Sequence, residues 1–442
     1  MKKILLIVLS VFVVFALFPI CSISAEESHI RKIISDFKLE ELINTDSFTK
    51  REETEETIII KNEKDERFVF DRQDNLVSFS RMNSMKNNTN QVLEAKTTQL
   101  DFVEMINDLE NKGYIPEGYC QTAAYKYFDD IWVFNFEKER NVSNPYDSVK
   151  LCFDAIDGSV LFYKRFNDYT EQLVPQINQE DVRSIVKEYG KQNGFDFVDI
   201  KISNPMIVRM SDYKSDPTED YALIYKASVF DDSMELWING INGSTELVST
   251  VESYDAKCFY VTDTGVDDYT VTYRNVRASN YNDILDLLGY SSNVQYLSNH
   301  NTARSTMLNY INGYDSWAFT FSGHGSATAF GTNDGQCIVD TDDIAGYWSF
   351  VVLDCCYAGN ASWANAFDVY DYNTLGRSFI GWYDEEYAVK CMVFSCYYKD
   401  AMEDNTSSSV LSNIYTALAN IPGDDYYHIR YIGDRTTTGY KS

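Results

Sequence analysis

The sequence predicts an α/β fold: a mostly parallel sheet with helices on both faces, preceded by an α+β repeat region. Two observations carry that expectation. From about residue 255 onward, short apolar runs alternate with amphipathic ones, the pattern of strands joined by crossover helices. Before that point, one strand–turn–strand segment occurs three times at nearly constant spacing.

Residues 1–25 read as a secretory signal peptide. Lys2 and Lys3 form a basic start, residues 4–18 are almost wholly apolar, and Pro19 breaks the run. The small residues Ser22, Ser24 and Ala25 then precede the acidic pair Glu26-Glu27. The apolar core is short for a membrane span, and no later stretch reaches the ~20 apolar residues that a spanning helix needs. The expected product is secreted or cell-envelope associated, with no stable membrane span after signal cleavage.

Residues 26–254 hold the repeats. Their turns fall at Asn75, Gly158 and Gly243, which are 83 and 85 residues apart. Each turn needs a positive φ, which Asn and Gly adopt cheaply. Amphipathic helices precede the second and third hairpins: Phe102, Met105, Ile106 and Leu109 mark one apolar face, and Val182, Ile185, Val186 and Tyr189 the other. The expected unit is a helix followed by a small antiparallel sheet.

Residues 255–442 carry the alternation. Strands are expected over 258–261, 294–297, 316–321, 348–353 and 378–382. Helices are expected over 282–288, 302–311 (with Asn301 as cap) and 407–419.

Charge and residue counts exclude several partners. The formal charge of −29 becomes −31 without Lys2 and Lys3, because residues 1–25 contain no acid. Such a surface repels nucleic acid and anionic membrane, and favours basic substrates in the encounter. Nine cysteines in 442 residues are too sparse for a disulfide framework. Four histidines, none in an HExxH helix, supply no metal motif. No cofactor is called for, and the acidic loops permit calcium without specifying a site.

The chemistry gathers at two expected strand ends. One strand runs into Ser322-Gly323-His324-Gly325, and another into Asp354-Cys355-Cys356-Tyr357-Ala358-Gly359. In open parallel sheets ligands bind beyond the carboxyl ends of strands. A thiol becomes a strong nucleophile as thiolate, and a nearby imidazole takes its proton. His324 is therefore the candidate base and Cys356 the candidate nucleophile. A helical run over 362–369 would place a helix N-terminus near the thiolate. The N–H groups of Gly325 and Cys356 are the candidate oxyanion donors. A serine hydrolase is excluded for want of a Gly-x-Ser-x-Gly elbow.

Together, Ser322-Gly323-His324-Gly325-Ser326 and Leu353-Asp354-Cys355-Cys356-Tyr357-Ala358-Gly359 resemble the paired signature of caspase-like (clan CD) cysteine peptidases, the group of metacaspases, legumains, gingipains and clostripain. Here His precedes Cys by 32 residues, the order of that group and not of papain-like enzymes. Gly376-Arg377-Ser378-Phe379-Ile380-Gly381-Trp382 is similar to a later core strand of bacterial members. The resemblance covers about residues 255–442 and implies a caspase-haemoglobinase fold. It also implies that Cys356, not Cys355, is the nucleophile. Asp354 would line a pocket for substrate Arg or Lys, a carboxylate–cation pairing. Trp382 and Asp384 join it as candidate substrate-binding residues on rim loops, with Asp334 and Glu385 nearby. Ala358 and Tyr357 depart from the residues common in the group. The Asp-Ala-x-x-Gly hairpin at 154–158 resembles the PepSY-type modules of secreted protease propeptides. The expected protein is thus a zymogen of three parts: signal 1–25, pro-region 26–254 and catalytic domain 255–442. Its partners would be a protein or peptide substrate and its own pro-region. The alternative is a catalytically silent caspase-like binding or surface protein.

Overall fold

The computed structural model describes residues 27–64, 66–82, 97–127, 131–213, 217, 219–229, 234–250, 269–288, 304–313, 318–322, 324–331, 338–345, 348–370, 376–384, 386–404, 408–423 and 428–435. The signal segment and the expected strands 258–261 and 294–297 lie outside them.

The N-terminal half consists of three copies of one unit, each a helix followed by an antiparallel meander. In the first, helix α1 (27–36) precedes β1 (Lys50–Glu53), β2 (Thr57–Lys61), β3 (Arg67–Asp71) and β4 (Leu76–Ser80). In the second, α2 (Val103–Asn111) precedes β5 (Tyr119–Tyr127), β6 (Ile131–Lys138), β7 (Asp147–Asp154) and β8 (Val160–Asn167). In the third, α3 (Gln179–Gln192) precedes β9 (Lys201–Ile202), β10 (Met206–Arg209), β11 (Tyr221–Val229), β12 (Met234–Asn239) and β13 (Thr245–Thr250). The first two meanders join edge to edge through β4 and β8 into one eight-stranded sheet, and the third forms a five-stranded sheet.

The same turn closes the last hairpin of each unit. Asp71 Oδ1 accepts from the N–H groups of Gln73 (2.8 Å) and Asn75 (2.9 Å). Asp154 Oδ1 accepts from Ile156 (2.7 Å) and Asp157 (3.3 Å), and Asn239 Oδ1 from Ile241 (2.9 Å) and Asn242 (3.3 Å). These side chains hold the loop by bonding its backbone two and more residues on. Asp74, Gly158 and Gly243 then take φ of 63°, 75° and 74°. A bulge precedes each turn at the same place, between Val69 and Phe70, Cys152 and Phe153, and Trp237 and Ile238.

The C-terminal half contains α4 (Tyr269–Leu287), α5 (Arg304–Gly313), β14 (Ala318–Ser322), β15 (His324–Gly325), β16 (Ala329–Gly331), β17 (Ile338–Asp340), β18 (Phe350–Asp354), α6 (Ala361–Ala366), β19 (Ser378–Trp382), α7 (Ala388–Asp404), α8 (Val410–Asn420) and β20 (Ile429–Gly433). Four strands form a sheet in the order β14-β18-β19-β20, and β15-β16-β17 form a small antiparallel sheet. Along the four-stranded sheet, Phe350, Val352 and Ile380 share a core with α4, α7 and α8, whereas Val351, Leu353 and Phe379 share one with α5 and α6. That alternation is the period-2 geometry of a strand covered on both faces.

The expected fold class is corrected. The chain is not a mostly parallel, caspase-haemoglobinase-like sheet protein, because antiparallel sheets of eight and five strands dominate it. Among the described residues, parallel ladders join only β14 to β18 and β18 to β19, and β20 adds antiparallel. The reason lies in the connections. A parallel pair needs a long crossover, and most strands of this chain are joined by tight turns that permit only antiparallel pairing.

Gly158→Ala is expected to cost about 1–2 kcal/mol, the penalty for a Cβ in the left-handed region, and Gly158→Asn less. Urea unfolding midpoints of the two variants check this.

Candidate active site

The parallel register fixes the centre of the site. Ser322 of β14 pairs with Asp354 of β18. His324 and Cys356 therefore each lie two residues beyond the same rung, on strands about 4.8 Å apart. The backbone of His324 continues into β15, where His324 pairs with Gly331 and Gly325 with Phe330. The His324 side chain lies outside the described residues, as do Gly323, Asp334 and Glu385.

Gly325 is required by close approach. A Cβ there would stand 2.5 Å from Cys355 Sγ and 2.8 Å from Cys356 O. The segment after His324 therefore lies directly against the two cysteines. Its φ is not positive, and the residue lies in extended backbone pressed on the neighbouring loop.

Beyond Cys356 the chain reverses. Tyr357 takes a φ of 57°, a conformation costly for a residue with a bulky side chain. The reversal lets the loop lie on the end of β19: Gly359 N donates to Trp382 O at 2.6 Å, and Tyr357 N to Asp384 O at 3.2 Å. A Cβ on Gly359 would meet Trp382 C at 2.8 Å, and one on Gly381 would meet Ala358 C at 2.7 Å. Both glycines of this contact are needed for backbone to touch backbone. Helix α6, expected over 362–369, spans Ala361–Ala366. The thiol meets the chain after β19. Glu386 N donates to Cys356 Sγ at 3.2 Å, and Sγ lies 3.5 Å from Glu386 O. Cys356 is 1% exposed. Cys355, equally buried, joins the core of Val351, Leu353 and Trp363 on the α5–α6 face.

The pocket role expected of Asp354 is corrected. Its carboxylate is buried and both oxygens are engaged: Oδ2 lies 3.2 Å from Arg277 Nη1 of α4, and Oδ1 accepts from Trp382 Nε1 at 2.7 Å. Arg277 and Asp354 are fully buried side chains. A substrate cation would have to displace an internal guanidinium. Trp382 is corrected with it: the residue ends β19, is 2% exposed, and is not on a rim loop. Burial and the nearby Asp354 carboxylate push the Tyr281 phenol well above its ordinary value, so it stays neutral in this cluster. Asp384 is exposed and reaches the site through its carbonyl, which accepts from Tyr357.

Sequence reasoning missed three residues here. Glu386 is 3% exposed; its Oε1 lies 3.3 Å from Lys390 Nζ and accepts from Tyr387 N at 3.0 Å. His428 places Nδ1 3.6 Å from Glu386 Oε2. Arg277 lies in a stretch with no marker of a buried ion pair. Only the acidic run after Trp382 hinted at Glu386, and nothing in the sequence tied His428 to it. Among the described residues no group of three or more His, Cys, Asp or Glu is gathered to hold a metal ion. None of the described helices is long and apolar enough to cross a membrane.

No protein-family model matches the chain, and no curated protein matches it. Among solved structures, the chain is similar to the Bacillus megaterium YpeB C-terminal domain, at 14% identity and a TM-score of 0.32, over 51% of this chain and 96% of that one. A likeness this slight carries neither activity nor site.

Asp354→Ala is expected to cost about 3–5 kcal/mol, since it strands a buried guanidinium. The double variant Arg277→Met with Asp354→Leu is expected to recover much of that loss. Chemical denaturation of the three proteins measures both. A carboxylate serving only a substrate pocket would leave stability unchanged.

Proposed function

We propose that the chain is a secreted cysteine endopeptidase held in a latent form, with Cys356 as nucleophile and His324 as base. The observation that carries the reading is the Ser322–Asp354 rung, which brings the two residues to neighbouring strand ends. The motifs around them add their likeness to caspase-like peptidases, and the hairpins of the N-terminal half add theirs to PepSY-type modules.

In this reading the His324 imidazole takes the Cys356 proton. The thiolate attacks the peptide carbonyl, and the Gly325 and Cys356 N–H groups receive the developing oxyanion. The imidazolium then protonates the leaving amine, and water activated by the same imidazole hydrolyses the thioester. The Glu386 N–H at 3.2 Å favours the charged sulfur. Latency is supported by the burial of Cys356: no peptide reaches a thiol that is 1% exposed until the chain around Glu386 gives way. With Asp354 occupied by Arg277, any preference for Arg or Lys must come from other groups, and the acidic surface favours such substrates only in the encounter.

The test is cleavage of fluorogenic peptides ending in Arg, Lys, Asn or Asp, before and after limited proteolysis of the chain. Cys356→Ala and His324→Ala are expected to lower cleavage at least about 10³-fold, and Cys355→Ala by less than about tenfold. Retained cleavage in Cys356→Ala refutes the assignment. Silence from every folded form, treated or not, favours a binding protein without turnover.

A further inference from the structure

Helix α8 is buried along its length: every residue from Val410 to Ala419 is covered, including Ser412, Asn413 and Thr416. A helix covered all round belongs to the interior of one folded unit. The cluster that covers it draws on both halves. Val352 and Ile380 come from the four-stranded sheet; Val133 and Cys152 come from the eight-stranded sheet, and Ile224 and Trp237 from the five-stranded one. Strands β7 and β12 are likewise buried at every position, as strands are when both sheet faces are occupied. On β7, Val149, Leu151 and Phe153 face the core of α1 and α2, whereas Cys152 joins the core of α7 and α8.

Polar contacts follow the same seam. Lys150 of β7 is 1% exposed, and its ammonium donates to the carbonyls of Leu418 and Ile421 at the end of α8. Lys164 of β8 donates to Asn420 Oδ1 at 2.9 Å. The last carbonyls of a helix have no partner within it, and its C-terminal end attracts cations. The N-terminal sheet therefore supplies the cap of a helix in the C-terminal half. Asn135 Nδ2 donates to Gly423 O at 3.4 Å, and Arg67 lies 3.3 Å from Asp404.

We propose that residues 27–250 are a permanent subunit of the C-terminal half and not a detachable pro-segment. A cut between β13 and α4 would then yield two polypeptides that remain one folded complex. The partner that the α7–α8 surface fits is this chain's own pair of N-terminal sheets. The docking is independent of the chemistry at Cys356. Domain pairs move apart when their interface is small and wet; this one is a continuous apolar core with buried cations along it.

The experiment places a recognition site for a sequence-specific protease between β13 and α4 in the otherwise intact chain. The folded protein is cut, diluted to nanomolar concentration and weighed by native mass spectrometry. Two bands on a denaturing gel with one species of summed mass are expected. Lys150→Glu is expected to speed dissociation of the cut protein at least about tenfold. Loss of structure in both fragments on separation also supports the proposal. Separation that leaves the C-terminal fragment with its native circular dichroism overturns it. If the inserted site blocks folding, hydrogen exchange on the unaltered chain decides. Amides of β7 and α8 are expected to exchange through one common opening, and free exchange in β7 with α8 still protected overturns the proposal.

Discussion

The structure depends on one continuous apolar core that takes residues from all three larger sheets and encloses α8. Helix propensity does not explain why α8 forms where it does. Its sequence, Val-Leu-Ser-Asn-Ile-Tyr-Thr-Ala-Leu-Ala-Asn, contains β-branched and polar residues that weaken an isolated helix. Packing on every side supplies what propensity lacks. Inside the core Asn413 Nδ2 lies 2.9 Å from Met402 Sδ, and at the helix ends Ser409 caps by accepting from Ser412 N while Asn420 Nδ2 donates to Thr416 O. Because the N-terminal sheets furnish part of this enclosure, the repeat units serve the C-terminal half as structure, whatever else they do.

What was legible in the sequence was local. The three turns could be found because Asp or Asn at the first position, with a residue further on that accepts a positive φ, suits the conformation, although in the first turn Asp74 and not the expected Asn75 takes that φ. All three repeat the same side-chain-to-backbone bonds. Strand β19 was legible because Ser-Phe-Ile-Gly-Trp is short, apolar and bounded by polar residues. The 17-residue α7 was not foreseen. Its residues are apolar on several faces, since it lies between the four-stranded sheet and α4 and α8, so the period of a half-exposed helix is absent. Strand pairing was the larger miss. Alternating strands and helices indicate parallel crossovers locally, but nothing in one unit's sequence reveals that two meanders will join edge to edge at β4 and β8.

The site shows the same division between residue chemistry and placement. Cys356 and His324 stand out because few residue types perform nucleophilic catalysis, and strand ends are where such residues collect. The residues that hold them could not be ranked. Glycines 325, 359 and 381 look alike in sequence. Each nonetheless answers a different close approach, Gly325 to Cys355 and Cys356, Gly359 to the end of β19, and Gly381 to the turn at Ala358. Glu386 meets the thiol through its main chain, an interaction available to any residue except proline at that position. Side-chain chemistry alone could not single it out.

Asp354 marks where reasoning from residue type fails and why. A carboxylate two residues before a nucleophilic cysteine has two uses, binding a cation from outside or binding one from inside, and sequence does not distinguish them. The structure takes the second. Arg277 comes from α4, at the far end of the same half of the sequence, and its pairing with Asp354 sits where β18 stops and the Cys355–Cys356 turn begins. Breaking a buried pair by removing one partner costs about 3–5 kcal/mol, though replacing both by apolar groups often costs nothing. Such a pair is therefore a poor source of stability and a strict geometric constraint. Any shift of the strand end would separate the carboxylate from both Arg277 and the Trp382 indole at once. Fixing that end fixes the height at which Cys356 leaves the sheet, level with His324 on the neighbouring strand. The charge that seemed to select a substrate instead sets the position at which Cys356 leaves the sheet.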